Sequence, residues 1–223
     1  MPFPLKKTMG FSTQMTRFRD FIRKRRVLKY VKKNGWRFNY CSIDFEVPPN
    51  TEIDVANALI KEKYEKEEIL MINSNVPPNN SVIELGGSFG IVSGVISKNL
   101  NQGVEHIIVE ANPLITEFCL KNAEAGSANT NITVVQKAIC YKEKIVKFNI
   151  ANNPHSSSLF DLPDKKVNKI IKIPSTTLSE IYQSLKNPKD YTLVCDIEGG
   201  EEDMAKYDIG IMAKAKTIIM ELH

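Results

Sequence analysis

The stretch Ser81–Leu100 constrains the fold of this chain more than any other. Five residues of buried-strand character (SVIEL) run directly into a glycine turn (GGSFG), and a helical run continues to Leu100. A strand delivered through glycines into a helix is the opening unit of a parallel α/β sheet. The segments beyond Leu100 keep the alternation. His106–Glu110 (HIIVE) reads as a second strand, and Asn112 caps a helix whose first residue is Pro113 and which Gly126 stops. Ile132–Gln136 is a third strand, Ile145–Ile150 an added one, Thr192–Asp196 the next core strand and Lys216–Leu222 the last. Between them Asn152–Lys169 is a polar loop, Ile170–Ile173 is placed to pair with a neighbour, and Thr177 with Glu180 makes a capping box. The expectation is an α/β, Rossmann-like domain, its mostly parallel sheet covered by helices on both faces.

Ahead of this core lies a segment of different character. Residues 17–33 hold nine cations against Asp20 alone, a charge of +8 in a chain whose net charge is +4, so the remainder is mildly acidic. Phe18, Phe21, Ile22, Leu28 and Val31 recur there at helical spacing, which predicts a basic amphipathic helix over 13–33. Three readings are open for it: a solvated helix packed on the domain, contact with anionic lipid or a partner, and contact with nucleic acid. Residues 34–50 read as an irregular connector. Asp54 is placed to cap a helix running to Ile72, and Pro77-Pro78-Asn79-Asn80 is a loop. The chain divides on this basis into a helical extension, 1–53, and a core domain, 54–223.

Composition excludes several classes. No stretch approaches the roughly 20 apolar residues that span a bilayer, and the N-terminus lacks the apolar run of a secretory signal. Cys41, Cys119, Cys140 and Cys195 show no metal-ligand spacing, and three of them sit in apolar segments, as buried thiols do. The expectation is a cytoplasmic protein with no metal site.

Acidic residues stand where the strands end: Glu84 within the first, Glu110 after the second, Asp196 after the fourth. Ligands of open α/β sheets bind at these carboxyl ends. Gly86, Gly87 and Gly90 allow a tight turn and close approach to a ligand. A dinucleotide fingerprint is not met, because Ser88 and Ile91 occupy its second and third glycine positions, and no Gly-Lys-Ser/Thr is present as in a phosphate-binding loop. Glu110 in register with the glycine turn can accept hydrogen bonds from both ribose hydroxyls of an adenosine.

From Ser81 onward the chain resembles the FkbM family of S-adenosylmethionine-dependent methyltransferases. The resemblance rests on I-E-L-G-G-S-F-G (83–90), V-E-A-N-P (109–113), S-S-S-L (156–159), C-D-I-E-G-G-E (195–201) and I-M-E-L-H (219–223), in family order over about 140 residues. It departs in Glu84 for Asp, Gly87-Ser88 for Ala-Asn, Ala111 for Pro and Cys195 for Lys. The resemblance implies S-adenosyl-L-methionine as cofactor and a class I methyltransferase fold. Glu84, Gly86, Gly87, Ser88 and Gly90 would frame its methionine part. Glu110, with Ala111 and Asn112, would hold the ribose. Asp196 would border both cofactor and reaction face, joined there by Glu198 and Glu201, with Glu221 and His223 across the cleft. Asp196, Glu198 and His223 are the implied catalytic set.

On this resemblance the expected activity is O-methylation of a sugar or other small-metabolite hydroxyl, with Asp196 or His223 accepting the proton. Structural readings stand beside it: Glu198 and Glu201 can serve the start of the helix that follows, and His106 and His155 can be a core and a surface residue. An RNA methyltransferase guided by the basic helix is a rival, although no RNA-binding module or amino-methylating N-P-P-Y motif is present. So is a catalytically silent scaffold binding a membrane or partner through 13–33. The sheet of a class I methyltransferase ends in a hairpin for which no residues remain after Lys216–Leu222. The expectation is an edge strand there, in a fragment or in a chain that covers the edge by forming a homo-oligomer.

Overall fold

A computed structural model describes residues 11–49, 51–127, 129–151, 167–188, 190–197 and 199–222. Its centre is a five-stranded parallel sheet in the order β10 (Ala215–Met220), β9 (Tyr191–Cys195), β3 (Ser81–Leu85), β4 (Glu105–Val109), β5 (Asn131–Val135). Every residue of β3 and β9 is buried, which accounts for their unbroken apolar runs. The chain steps from β3 outward to β4 and β5, then returns to β9 on the other side of β3. That reversal opens a crevice at the carboxyl ends of β3 and β9.

The two faces bury separate clusters. Val82, Val194 and Ile219 pack under α4 (Ile91–Asn99) with the N-terminal elements, while Ile83, Leu85, Tyr191, Leu193 and Cys195 pack with α6 (Leu178–Ser184) and Met204 of α7 (Glu201–Tyr207). α5 (Thr116–Gly126) closes the first face over Ile108 through Cys119 and Ala123. Helices thus cover both faces of the sheet. β10 lies at its edge and pairs only with β9 among the described residues. No helix of the described residues is long and apolar enough to cross a membrane.

The N-terminal elements are richer than the sequence suggests. The predicted helix is present as α1 (Phe11–Asn34). The expected connector is instead a hairpin of β1 (Arg37–Tyr40) and β2 (Ile43–Glu46), with Phe38 opposite Phe45 and both fully buried. The helix expected from Asp54 to Ile72 is two, α2 (Ile53–Ile60) and α3 (Lys66–Asn75), parted where Glu62 and Glu65 take left-handed backbone angles. Val27, Phe38 and Phe45 share one cluster with Val82, Val95 and Val194.

Elsewhere the boundaries shift modestly. Asn112 does not cap α5 directly. It builds the preceding turn, its Oδ1 accepting from the Leu114 amide and its carbonyl from the Thr116 hydroxyl. Thr177 caps α6 as expected, accepting from the Glu180 amide, but the Glu180 carboxylate takes the Thr176 hydroxyl. β7 (Ile145–Ala151) pairs antiparallel with β8 (Val167–Thr176), which begins inside the expected polar loop, and β6 (Ala138–Ile139) adds to β8 in parallel. All four cysteines are thiols, and Cys119 and Cys195 are buried while Cys140 is half-buried.

Candidate functional site

The crevice at the switch in strand order is a cleft. Gly86–Ser88 form its floor, Glu110 and Ala111 one side, Asp196 and Ile197 the other, with Lys137, Ala138 and Phe148 further out. Tyr64 and Glu65, from the break between α2 and α3, and Glu68, from the first turn of α3, supply the remaining wall.

The floor is set by hydrogen bonds between strand ends. The amides of Gly86 and Asp196 donate to Val109 and Leu85, each prolonging a strand by one rung. Glu110 then reaches back: its Oε2 accepts the Ser88 amide at 2.7 Å and its Oε1 the Asn112 amide at 2.6 Å. Ser88 accepts a left-handed φ of 47° to present that N–H. Burial pushes the Glu110 carboxyl up to about 7, against the opposing pull of the amides it accepts.

The glycines are needed for reasons internal to the protein. A Cβ on Gly86, at φ +93°, would stand 1.8 Å from the Asp196 carbonyl oxygen, and one on Gly87 2.4 Å from the Ile108 side chain. Gly90, behind the floor, sits 2.3 Å by the same measure from the Cys119 carbonyl on α5. Gly86 and Gly87 line the cleft, and close packing, against backbone at Gly86 and Gly90 and against side chains at Gly87, is a further reason for a glycine at each position.

Glu84 is likewise committed inward. Its two oxygens meet the Ser93 hydroxyl and His106 Nε2, each at 2.8 Å, and His106 Nδ1 meets the Ser97 hydroxyl at 3.0 Å. This fully buried set ties β3 and β4 to α4, and His106 is a core residue. Glu84 still borders the cleft, with one hydrogen bond to each of its oxygens made from below. Asn112 stands behind the wall it braces.

Of the implied catalytic set, Asp196 lines the cleft, half-buried. Glu198 and His223 lie outside the described residues, as do His155 and the segment 156–159. Glu201 is buried and accepts from the amides of Gly199 and Gly200 at 3.2 and 2.8 Å, so it organises the start of α7. Cys195 turns to the opposite face of the sheet, where burial raises its thiol far above the ordinary range. Glu221, exposed beyond β10, adds its charge to those felt by Glu68.

Glu68, Lys137 and Tyr64 line the cleft without any signal in the sequence, and Tyr64 also packs against the core. Burial, reinforced by Glu84, Asp196, Glu65 and Glu221, pushes the Glu68 carboxyl up to about 8. Among the described residues the lining carries five carboxyl groups, Glu65, Glu68, Glu84, Glu110 and Asp196, against one lysine. In their ionised forms these groups repel phosphates and favour a cationic ligand with hydroxyl donors. Comparison with protein-family models, with curated proteins and with solved structures gives no match.

Proposed function

We propose that this chain is an S-adenosyl-L-methionine-dependent methyltransferase acting on a hydroxyl of a sugar or other small metabolite. The observation that carries the reading is the acid-lined cleft at the switch point, with Glu110 ending the strand beside the glycine turn. A dinucleotide or nucleoside triphosphate would bring anionic phosphates against these carboxylates. S-adenosyl-L-methionine brings a sulfonium and an ammonium, and supplies a methyl group already activated for displacement.

The residues fit that ligand in charge and in hydrogen-bonding capacity. A carboxylate offers about four lone-pair sites, so Glu110 can hold the two amides it accepts and still take ribose hydroxyls. Asp196 offers negative charge on a second wall, and Glu68 on a third once pH rises past about 8. In this reading Asp196, half-buried in the cleft at the end of β9, takes the proton of an acceptor hydroxyl. The FkbM resemblance of 83–90, 109–113 and 195–201 supports the same assignment, and the oxygen acceptor rests on that resemblance alone.

The test is calorimetric titration with S-adenosyl-L-methionine, then incubation with methyl-labelled cofactor and a panel of nucleotide sugars, glycans and RNA read by mass spectrometry. Binding and label on a hydroxyl are expected. No binding would leave the scaffold reading, and label confined to RNA would replace the acceptor class.

A further inference from the structure

One face of α1 is fully engaged by the domain. Val27 is completely buried, Tyr30 stacks on Phe38 with ring centroids 5.1 Å apart, Arg26 donates to Asn57 at 2.7 Å and Arg23 to Asp54 at 3.0 Å. These contacts fix the rotation of the helix about its axis. The opposite face is then left with bulky apolar groups in solvent: Phe18 is 65% exposed, Phe21 60%, Leu28 56% and Ile22 41%. Of the apolar positions read from the sequence, Val31 is the one that packs inward.

The exposed groups are three, four and seven residues apart and therefore share one side of the helix. Arg25, Lys29 and Lys32, all exposed, fall on that same side. Asp20 is the one acid of α1, and Arg23 stands 3.5 Å from it. No other carboxylate on the helix offsets the charge of this row.

We propose that the outward row of α1 is a docking surface for an anionic lipid bilayer. Phe18, Phe21, Ile22 and Leu28 enter the boundary between headgroups and acyl chains, while the cations lie against the headgroups. The pairing of the two kinds of side chain decides for lipid over nucleic acid. Phosphate backbones reward the cations, and bases reward aromatic rings, but Ile22 and Leu28 offer an RNA neither stacking nor hydrogen bonds. Because α1 is fastened to α2, which leads into the Tyr64 wall of the cleft, adsorption holds the domain in one orientation on the membrane.

The experiment is co-sedimentation of the full chain with vesicles of phosphatidylcholine, alone or with about one-third phosphatidylserine. Adsorption to the anionic vesicles only is expected, weakened by salt. Phe18→Ser with Phe21→Ser should lower it at least about ten-fold, and Lys29→Gln with Lys32→Gln by about five-fold for each charge. Both pairs are exposed, so the thermal unfolding midpoint should stay at the wild-type value and separate lost adsorption from lost folding. The proposal is overturned if vesicle charge makes no difference, or if the double serine variant sediments like wild type. Tighter binding to structured RNA, insensitive to the serine substitutions, would overturn it in favour of a nucleic-acid surface.

Discussion

The carboxylate of Glu110 and the backbone amide of Ser88 are joined by a 2.7 Å hydrogen bond that links the end of β4 to the floor after β3. One residue therefore both shapes the cleft and offers it a charge. Glu110→Ala should weaken S-adenosyl-L-methionine by about 1.5–3 kcal/mol, the range for hydrogen bonds to a charged group. It should also lower the unfolding midpoint, because the Ser88 and Asn112 amides lose their acceptor. Wild-type affinity in calorimetry of the folded variant would remove Glu110 from the binding site.

Glu110 and Glu68 give the protein a defined pH dependence. Their carboxyls are raised from 4.5 to about 7 and about 8, so between those limits the folded state holds protons that the unfolded chain has released. The contribution of these groups is greatest below 4.5 and is lost as pH rises through 7 and 8. Thermal unfolding should show Glu68→Gln more stable than wild type near about pH 8.5 and equal to it near about pH 4. Equal midpoints at both ends would show that Glu68 is not held in the cleft.

Ionisation of the same groups should strengthen a cationic ligand. Affinity for S-adenosyl-L-methionine should rise from about pH 6 to about pH 8, and the rise should be shallower in Glu68→Gln. A flat profile in wild type, measured by titration at each pH, would separate ligand charge from the cleft's acids.

Two glycines of similar backbone angle should respond differently to one methyl group. Gly86 has φ +93° and would place a Cβ 1.8 Å from the Asp196 carbonyl oxygen, whereas Gly103 has φ +79° and nothing within 4 Å. Gly103→Ala should cost the left-handed strain alone, about 1–2 kcal/mol. Gly86→Ala should cost clearly more and displace Asp196, lowering cofactor affinity as well. Chemical denaturation of the pair checks this, and equal losses would contradict the packing role of Gly86.

Asp196→Asn preserves shape while removing a proton acceptor. Turnover should fall by roughly 10²–10⁴ with cofactor affinity changed far less. A variant turning over within a few-fold of wild type would move the proton to another group or to solvent.

The parts of this fold that were legible in the sequence are those written in apolar runs. SVIEL, HIIVE and TLVCD are buried strands, and their ends locate Glu110 and Asp196 at the cleft. The hairpin at Arg37–Glu46 was hidden because its turn residues, Cys41 and Ser42, both hold positive φ without the Asn-Gly or Asp-Gly that usually marks such turns. Alternation of Phe38 and Tyr40 with polar neighbours was the available signal. The same kind of concealment split α2 from α3: Glu62 and Glu65 are left-handed non-glycine residues within a charged run that reads as continuous helix. Missing that break meant missing the wall formed by Tyr64, Glu65 and Glu68. For Glu84 the position at the cleft was legible, but not that His106 and Ser93 claim its oxygens, since that depends on the register of β3 with β4.

The cleft's walls differ in mechanical character. Gly126 would carry a Cβ 1.9 Å from the Gly94 carbonyl oxygen, so α4 and α5 meet backbone to backbone, and Gly90 meets Cys119 in the same way. The helix after the floor and the helix after Glu110 are thereby clamped into one rigid jaw. The opposing jaw, Tyr64–Glu68, runs from the break between α2 and α3 into the first turn of α3 and is held by the Tyr40 hydroxyl on the Tyr64 carbonyl. Adjustment to the size of a ligand is thus assigned to one side alone, and substitution of Tyr40 should change how fast a ligand enters and leaves more than where it sits.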